Sequence, residues 1–314
     1  MMTGGSFIAE QTPHIVVVGS SNMDLVVKTP RIPTLGETIL GGDFLMVPGG
    51  KGANQAVAAA KLGARVHFVA RLGDDLFGRQ SLANFAREGV DTSHVTLSSG
   101  VASGVALITV DAQGNNVIVV APGANGALSA DDVERAADDL RGAGAVVAQL
   151  EVPLATVQRA AELAHEAGVP FILDPAPARG LPPELLSMIS VLTPNETEAR
   201  ILTGVQVDDE SSARVAAQRL LAAGVGAVVV TMGGQGFLLA EGDAAAFIAA
   251  PAVRAVDATA AGDAFTGSLA VGLAQGQSLH DAALFAGRAA ALSVTKMGAQ
   301  PSMPTREDVE AFAG

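Results

Sequence analysis

Residues 145–179 read AVVAQLEVPLATVQRAAELAHEAGVPFILDPAPAR, and this stretch decides the fold. The apolar run Ala145–Leu150 stops at a carboxylate, Glu151. A helix is predicted from Pro153 to Ala167, followed by Gly168. Val169–Leu173 is apolar again and stops at Asp174-Pro-Ala-Pro177. Short buried runs on either side of a helix are the pattern of parallel strands joined by a crossover.

The same unit repeats on both sides. Downstream, Ile189–Leu192 ends at Thr193-Pro-Asn-Glu-Thr-Glu198, a helix is predicted over 211–223, and Ala227–Val230 ends at Thr231-Met-Gly-Gly-Gln-Gly236. Upstream, Ile15–Val18 runs through Gly19 into Ser20-Ser-Asn-Met-Asp24. Arg65–Ala70 reads as a strand, Asp75–Glu88 as a helix stopped by Gly89, and Ser129 with Asp132 as a capping box. The expectation is an α/β protein with a mainly parallel sheet and helices on both faces. Its strand tips would gather Asn22, Glu151, Asp174, Asn195 and Thr231 on one edge, where such sheets bind ligands. Asn22 and Asp24 are candidate hydroxyl binders; a plain turn is the alternative.

Two β-rich pieces interrupt the alternation. One lies between Leu25 and Val47, and the other is a hairpin over Gly104–Val110 and Val117–Ala121 with a turn at Asp111–Asn116. Inserted at about 22–48 and 98–121, they suit a small accessory sheet acting as a lid on a domain spanning 14–314. Residues 1–13 lack the basic and apolar regions of a signal peptide and read as a flexible arm, which points to a cytoplasmic protein.

Composition excludes several functions. With no cysteine there are no disulfides, thiolate metal sites or thiol nucleophiles. A formal charge of −13 and an aromatic content of 4% argue against a nucleic-acid partner. No apolar run reaches the ~18 residues that a membrane span requires. His14, His67, His94, His165 and His280 are scattered without metal-ligand spacing, and read as surface or strand-end residues.

Two glycine-rich stretches carry the chemistry. Pro48-Gly-Gly-Lys-Gly-Ala-Asn-Gln55 precedes a helix predicted from Ala53 to Leu62 and ended by Gly63. It is not a Walker A loop, because Gly52 stands where Ser or Thr must follow the lysine; nor is it a dinucleotide fingerprint, because Gln55 stands at the third glycine. Lys51 and Asn54 remain as polar groups at a helix start. The second stretch, Asp257-Ala-Thr-Ala-Ala-Gly-Asp-Ala-Phe-Thr-Gly267, leads into another helix. Small residues let backbone N–H groups approach a ligand, and the helix N-terminus favours an anion. An acidic N-cap on a core helix is the alternative. As an anion pocket the stretch suits phosphoryl transfer: Asp263 would take the proton of an alcohol as the O–P bond forms, and Ala260 to Asp263 would stabilise the moving phosphoryl oxygens. Glu196 and Glu198 could organise Mg²⁺ through water. Hydrolase triads lack a G-x-S-x-G elbow.

In their order, GSSNMD, PGGKGANQA, GDDLFG, APGAN, QLE, DPAPAR, TPNETE, TMGGQG, DATAAGDAFTG and KMGAQPSMP resemble the ribokinase branch of the PfkB sugar-kinase family, over roughly residues 15–310. The resemblance implies a three-layer α/β/α core with a four-stranded lid, often paired lid to lid in a homodimer. It implies ATP-dependent phosphorylation of ribose at O5, with Asp263 as base and Ala260, Ala261, Gly262 and Asp263 as anion hole. The sugar hydroxyls would meet Asn22, Asp24, Gly50, Lys51, Asn54 and Glu151. ATP would lie on Asn195, Thr231, Gly233, Gly234, Gly236 and Gly262, with Glu198 supporting hydrated Mg²⁺. A potassium ion would sit among Asp257, Thr259, Ser293, Lys296, Gly298 and Ser302. Three positions depart from the family pattern: Ala258 and Ala264 stand where Thr is frequent, and Gly287 stands where a larger residue often packs near the adenine. Rival readings are a kinase for deoxyribose, fructose or a nucleoside, and a sugar sensor without catalysis.

Overall fold

The computed structural model describes residues 12–312. The chain enters through β1 (His14–Val18), leaves the core as β2 (Asn22–Lys28) and β3 (Phe44–Gly49), and returns through α1 (Lys51–Lys61) and β4 (Arg65–Gly73). Helix α2 (Leu76–Arg87) leads to β5 (Val90–Asp91) and β6 (Val95–Ser98), and a second excursion follows as β7 (Gly104–Val110) and β8 (Asn116–Ala121). After α3 (Ala130–Arg135) and α4 (Ala137–Arg141) the alternation is regular: β9 (Ala145–Ala148), α5 (Leu154–Glu166), β10 (Phe171–Leu173), α6 (Pro183–Leu186), β11 (Val191–Leu192), α7 (Glu196–Thr203), α8 (Glu210–Ala222) and β12 (Ala227–Thr231). The hairpin β13 (Gly236–Glu241) and β14 (Ala244–Ala249) precedes α9 (Ala261–Ala274), α10 (Leu279–Ser293) and α11 (Arg306–Ala311).

The large sheet runs β14-β13-β12-β11-β10-β9-β1-β4-β5, with β6 also on β4. It is parallel except for the β12–β13–β14 edge. Side chains alternate along each strand, so Val16, Val18, Val146 and Leu173 pack on one face and Ile15, Val17, Val147 and Ile172 on the other. These two apolar layers make the three-layer α/β/α core predicted above. The second sheet, β3-β2-β7-β8, is built from both excursions, with β2 and β7 parallel at its centre.

Boundaries differ in instructive places. Helix α1 starts at Lys51 rather than Ala53, so Gly52 lies inside the first turn. A Cβ there would come within 2.6 Å of the Ser20 backbone nitrogen, so only glycine lets this turn rest on the β1 tip. The β13–β14 hairpin, not anticipated as strands, extends the sheet beyond β12. Of the expected arm, residues 1–11 lie outside the described residues. Pro13 is buried, and its carbonyl accepts from the Arg65 N–H at 2.8 Å. Among the described residues no helix is long and apolar enough to cross a membrane.

Candidate active site

Helices α1 and α9 cross closely because Gly267 faces α1; a Cβ there would stand 2.7 Å from the Gln55 carbonyl oxygen and 2.9 Å from the Ala58 Cβ. That crossing sets Asn54 and Gln55 of α1 against Asp263 of α9. Asp263 is 4% exposed. Asn54 Nδ2 donates to its Oδ2 at 2.8 Å, and Gln55 Nε2 donates to its Oδ1 at 3.1 Å. Gln55 Nε2 also donates to Asp174 Oδ2 at 2.8 Å, and Gln149 Nε2 donates to Gln55 Oε1 at 2.6 Å. The Lys51 ammonium stands 3.7 Å from Asp174 and 4.0 Å from Asp263.

These carboxylates crowd one another. Burial, with the charges of Asp263 and Glu198, pushes the Asp174 carboxyl up, and Lys51 opposes that shift. Burial pushes Asp24 up to about 7, helped by Glu151 and Asp263. Glu198 is also raised by burial. Lys51 loses stability of its charge by burial, but the four carboxylates Asp174, Asp263, Glu151 and Glu198 outweigh that and hold it firmly protonated.

The β1 tip completes this side. Glu151 Oε2 accepts from Ser20 Oγ at 2.5 Å and from the Lys51 N–H at 3.1 Å, placing a negative charge at the start of α1. Asn22 Oδ1 accepts from Asn125 Nδ2 at 2.7 Å, and Asn125 Oδ1 accepts from the Ser21 N–H. Gly49 abuts Asp24, its would-be Cβ only 2.3 Å from Oδ2, and Gly50 has φ +91°. Asn54 and Lys51 therefore reach Asp263 directly, Asp24 and Glu151 lie within electrostatic reach of the same cluster, and Gly50 packs on the backbone of Ser21 and Asn22.

Across the first turn of α9 lies a cavity of about 590 Å³, lined by Asn195, Thr231, Gly233, Gly234, Gly236 and Gly262 among others. Gly262 carries open space where a Cβ would go. The N–H groups of Gly262 and Asp263 belong to a first helical turn, which lacks intrahelical acceptors. Ala260, the N-cap, has φ +61°, the one left-handed residue other than glycine among the described residues. That conformation costs of order 1 kcal/mol or more and turns the chain sharply into the helix. The result is an anion-binding turn with a cavity on one side and a buried carboxylate on the other. An open volume with backbone donors, and with Glu196 as the one acidic residue in its lining, suits a nucleoside triphosphate chain.

Asn195 caps α7, accepting from the Glu198 N–H at 2.9 Å while Glu198 Oε2 accepts from the Asn195 N–H at 2.8 Å. Glu198 keeps its other oxygen free of hydrogen bonds among the described residues, which suits water-mediated contact with a hydrated divalent ion. At Gly287 a Cβ would meet Phe237 Cε1 at 2.9 Å. Phe237 packs edge-to-face on Phe265 with centroids 5.2 Å apart, so this ring supplies the bulk that residue 287 lacks. Ala264 is fully buried, where a threonine hydroxyl would need a partner.

The proposed potassium residues are brought together in part. Asp257 Oδ1 accepts from the Thr259 N–H at 2.9 Å and hydroxyl at 2.6 Å, and Oδ2 from the Gly298 N–H at 2.8 Å. The Val294 carbonyl accepts from the N–H groups of Val256 and Asp257, which ties in the end of α10 beside Ser293. Ser293 and Ser302 turn their hydroxyls to the Ala290 and Ala299 carbonyls, and Lys296 Nζ lies 3.9 Å from Asp308. Asp257, Thr259 and Gly298 are thus tied directly together, whereas the Ser293, Ser302 and Lys296 side chains are committed to other partners.

Several participants carry no role in the sequence pattern, Gln149 and Asn84 among them. Asp174 reads there only as a strand tip. Gln55 reads only as a missing glycine. Asn125 sits in APGAN and Gln300 in GAQPS, motifs quoted without assigning either residue. Gln300 Nε2 donates to Asn54 Oδ1 at 3.2 Å, and Asn84 Nδ2 donates to Gln300 Oε1 at 2.6 Å, so a line of amides backs the Asp263 partner.

A model of the pfkB family of carbohydrate kinases matches residues 12–306. Ribokinase of Haemophilus influenzae is 43% identical over 298 residues, covering 95% of this chain and 97% of that protein. Deoxyribokinase of Salmonella typhi is 40% identical over 299 residues, covering 95% and 98%. The structure of Arabidopsis thaliana ribokinase complexed with ribose and ATP superposes with a TM-score of 0.89 at 36% identity, covering 96% of this chain and all of that one. With the buried carboxylate, the anion-binding turn and this match over nearly its whole length, the chain belongs to the PfkB family of carbohydrate kinases.

Proposed function

We propose that this protein transfers the γ-phosphoryl group of ATP to the 5-hydroxyl of D-ribose within one kinase domain spanning 14–314. The observation that carries the reading is the adjacency of Gly262 and Asp263. One turn of helix presents backbone donors to the nucleotide cavity and a carboxylate to the polar cluster opposite. The ribokinases of Haemophilus influenzae and Arabidopsis thaliana, the second solved with ribose and ATP, favour ribose. Asn22, Asp24, Gly50, Lys51, Asn54 and Glu151 would hold the sugar, and Asn195 with the Thr231–Gly236 loop would hold ATP. Mg²⁺, supported through water by Glu198, would neutralise phosphate oxygens. The test is ADP release measured with ribose, deoxyribose, fructose and adenosine. Ribose should give the highest kcat/KM; preference for deoxyribose, as the Salmonella typhi relative's name suggests, would replace the substrate assignment, and absence of turnover with all four would favour a sensor.

The pH dependence of sugar binding follows from Asp24. In the free protein its carboxyl is pushed up to about 7, so it is half protonated near neutrality. Sugar hydroxyls donating to it favour the anion, so binding below pH 7 expels a proton. KM for ribose should therefore rise as pH falls, approaching tenfold per pH unit well below 7, while kcat for the saturated enzyme lacks this limb. Calorimetric titration in buffers of differing ionisation enthalpy would count the released proton.

A K⁺ ion at the Asp257–Gly298 crossing would fix the loop that leads into Ala260, without touching substrate. Exchange of K⁺ for Na⁺ should lower kcat, and identical rates in both salts would remove the site from the reading.

On one face of the lid sheet Phe44, Met46, Leu107 and Val119 are about half exposed or more. A contiguous apolar sheet face of this kind suits a homodimer formed lid to lid. Sedimentation of the full chain would measure it.

A further inference from the structure

At the opposite end of the sheet from the phosphoryl-transfer cluster, three of the five histidines converge. His14 opens β1, His67 lies in β4, and His94 lies between β5 and β6. The His14 and His67 rings are 4.9 Å apart and the His67 and His94 rings 6.0 Å. Asp139, on α4, reaches into this group. Its Oδ2 lies 2.7 Å from His94 Nε2, and its Oδ1 lies 3.3 Å from His67 Nδ1.

The polar accounting here does not close. His14 Nε2 and His67 Nδ1 are buried ring nitrogens without a hydrogen-bond partner among the described residues. His67 Nδ1 is near Asp139 but not aligned for a hydrogen bond with it. Buried polar atoms are rarely left in this state, because each has given up a hydrogen bond to water without gaining another. The remaining atoms are committed in a way that leaves lone pairs in place. His14 Nδ1 lies 3.3 Å from the Gly142 carbonyl oxygen, which accepts only from a protonated Nδ1 and so leaves the lone pair on Nε2. On the far side of His67, Nε2 lies 4.0 Å from Asp91.

One donor atom from each of His14, His67 and Asp139 lies within 4.8 Å of the other two. Donors around a tetrahedral ion stand about 3.3 Å apart, given metal–nitrogen bonds of about 2.0 Å. Small side-chain rotations close the difference. Two imidazoles and a carboxylate select a borderline transition metal over Mg²⁺ or Ca²⁺. The surroundings have the form expected behind such ligands: a backbone carbonyl orients one imidazole, and His94 holds the second carboxylate oxygen. Asp139 is about one third exposed, which gives an ion a route in and leaves a fourth position for water.

We propose that His14, His67 and Asp139 form a binding site for a transition-metal dication of the Zn²⁺, Co²⁺ or Ni²⁺ class at the base of the sheet. The site would pin β1 and β4 to α4, on the side of the sheet away from the strand tips. Its role is structural, so it is independent of which sugar the kinase accepts.

Co²⁺ reports its own coordination by visible d–d absorption, and excess Mg²⁺ keeps the nucleotide site out of the measurement. Titrated into the full, chelator-treated chain, Co²⁺ should bind one ion per chain and give the intense bands of a four-coordinate site. Zn²⁺ should displace it and raise Tm by about 3–6 °C at saturation. Asp139→Asn, at a partly exposed position, and His67→Gln should each weaken Co²⁺ binding at least tenfold, with Asp139→Asn leaving sugar-kinase turnover unchanged. Absence of stoichiometric binding to the parent chain, or bands that persist in both variants, would overturn the proposal; should His67→Gln fail to fold, Asp139→Asn decides alone.

Discussion

Asp263→Asn is expected to lower kcat by about 10³-fold to 10⁴-fold, the range for removing a general base, while the Kd for ribose changes only a few-fold. Asparagine preserves the shape of the side chain but cannot take the proton of the attacking hydroxyl. It also disturbs the cluster. Both Asp263 oxygens now accept, one from Asn54 and one from Gln55. An asparagine presents one NH₂ that must face another amide NH₂, so one bond is lost and stability should drop by about 1–3 kcal/mol. Turning Asn54 over offers no relief, because its oxygen is needed by Gln300. The three readouts are therefore turnover by ADP release, ribose affinity by calorimetry and Tm by scanning. Near-normal turnover would remove Asp263 from the role of base.

Much of this arrangement was legible in the sequence. Apolar runs ending in polar tips located β1, β9, β10, β11 and β12 and predicted that their tips share an edge, because parallel strands with crossovers leave no other arrangement. The polar groups that organise the cluster were harder to read. Gln55 meets Asp263 across 208 residues, and only because Gly267 lets α9 approach α1. No local pattern encodes such a crossing. The β13–β14 hairpin escaped for a different reason: GFLLAE and AAAFIA are rich in alanine and leucine, residues of helical rather than strand propensity, held extended by the pairing of β13 with β12 and of β14 with β13. The histidine cluster had no spacing signal because its ligands come from neighbouring strands and a helix. Parallel pairing of β1 and β4 brings His14 and His67 together, although 53 positions separate them.

Replacing Lys51 by methionine tests the electrostatics of the same cluster and should give a different signature. Methionine keeps the length and packing of the side chain and removes the charge. Lys51 is the ammonium closest to Asp174 and Asp263, at 3.7 and 4.0 Å, and Glu151 and Glu198 also act on it. Without it, four carboxylates face one another with no compensating cation beside Asp174. Asp174 is already pushed up by burial, and Lys51 is the largest influence opposing that shift. The variant cluster should therefore hold its proton up to a higher pH than the parent cluster does. Proton transfer from the sugar hydroxyl then competes with a site that is more often filled. At pH 7 kcat/KM should fall by about 10²-fold to 10³-fold, the usual cost of deleting a preorganised charge. The decisive feature is the profile. As pH rises that proton is lost, and the variant should recover toward the parent by up to tenfold per unit, whereas Asp263→Asn stays low at every pH. A Lys51→Met profile parallel to that of the parent would mean that the lysine only contacts substrate and does not set the charge state of the carboxylates around the proposed base.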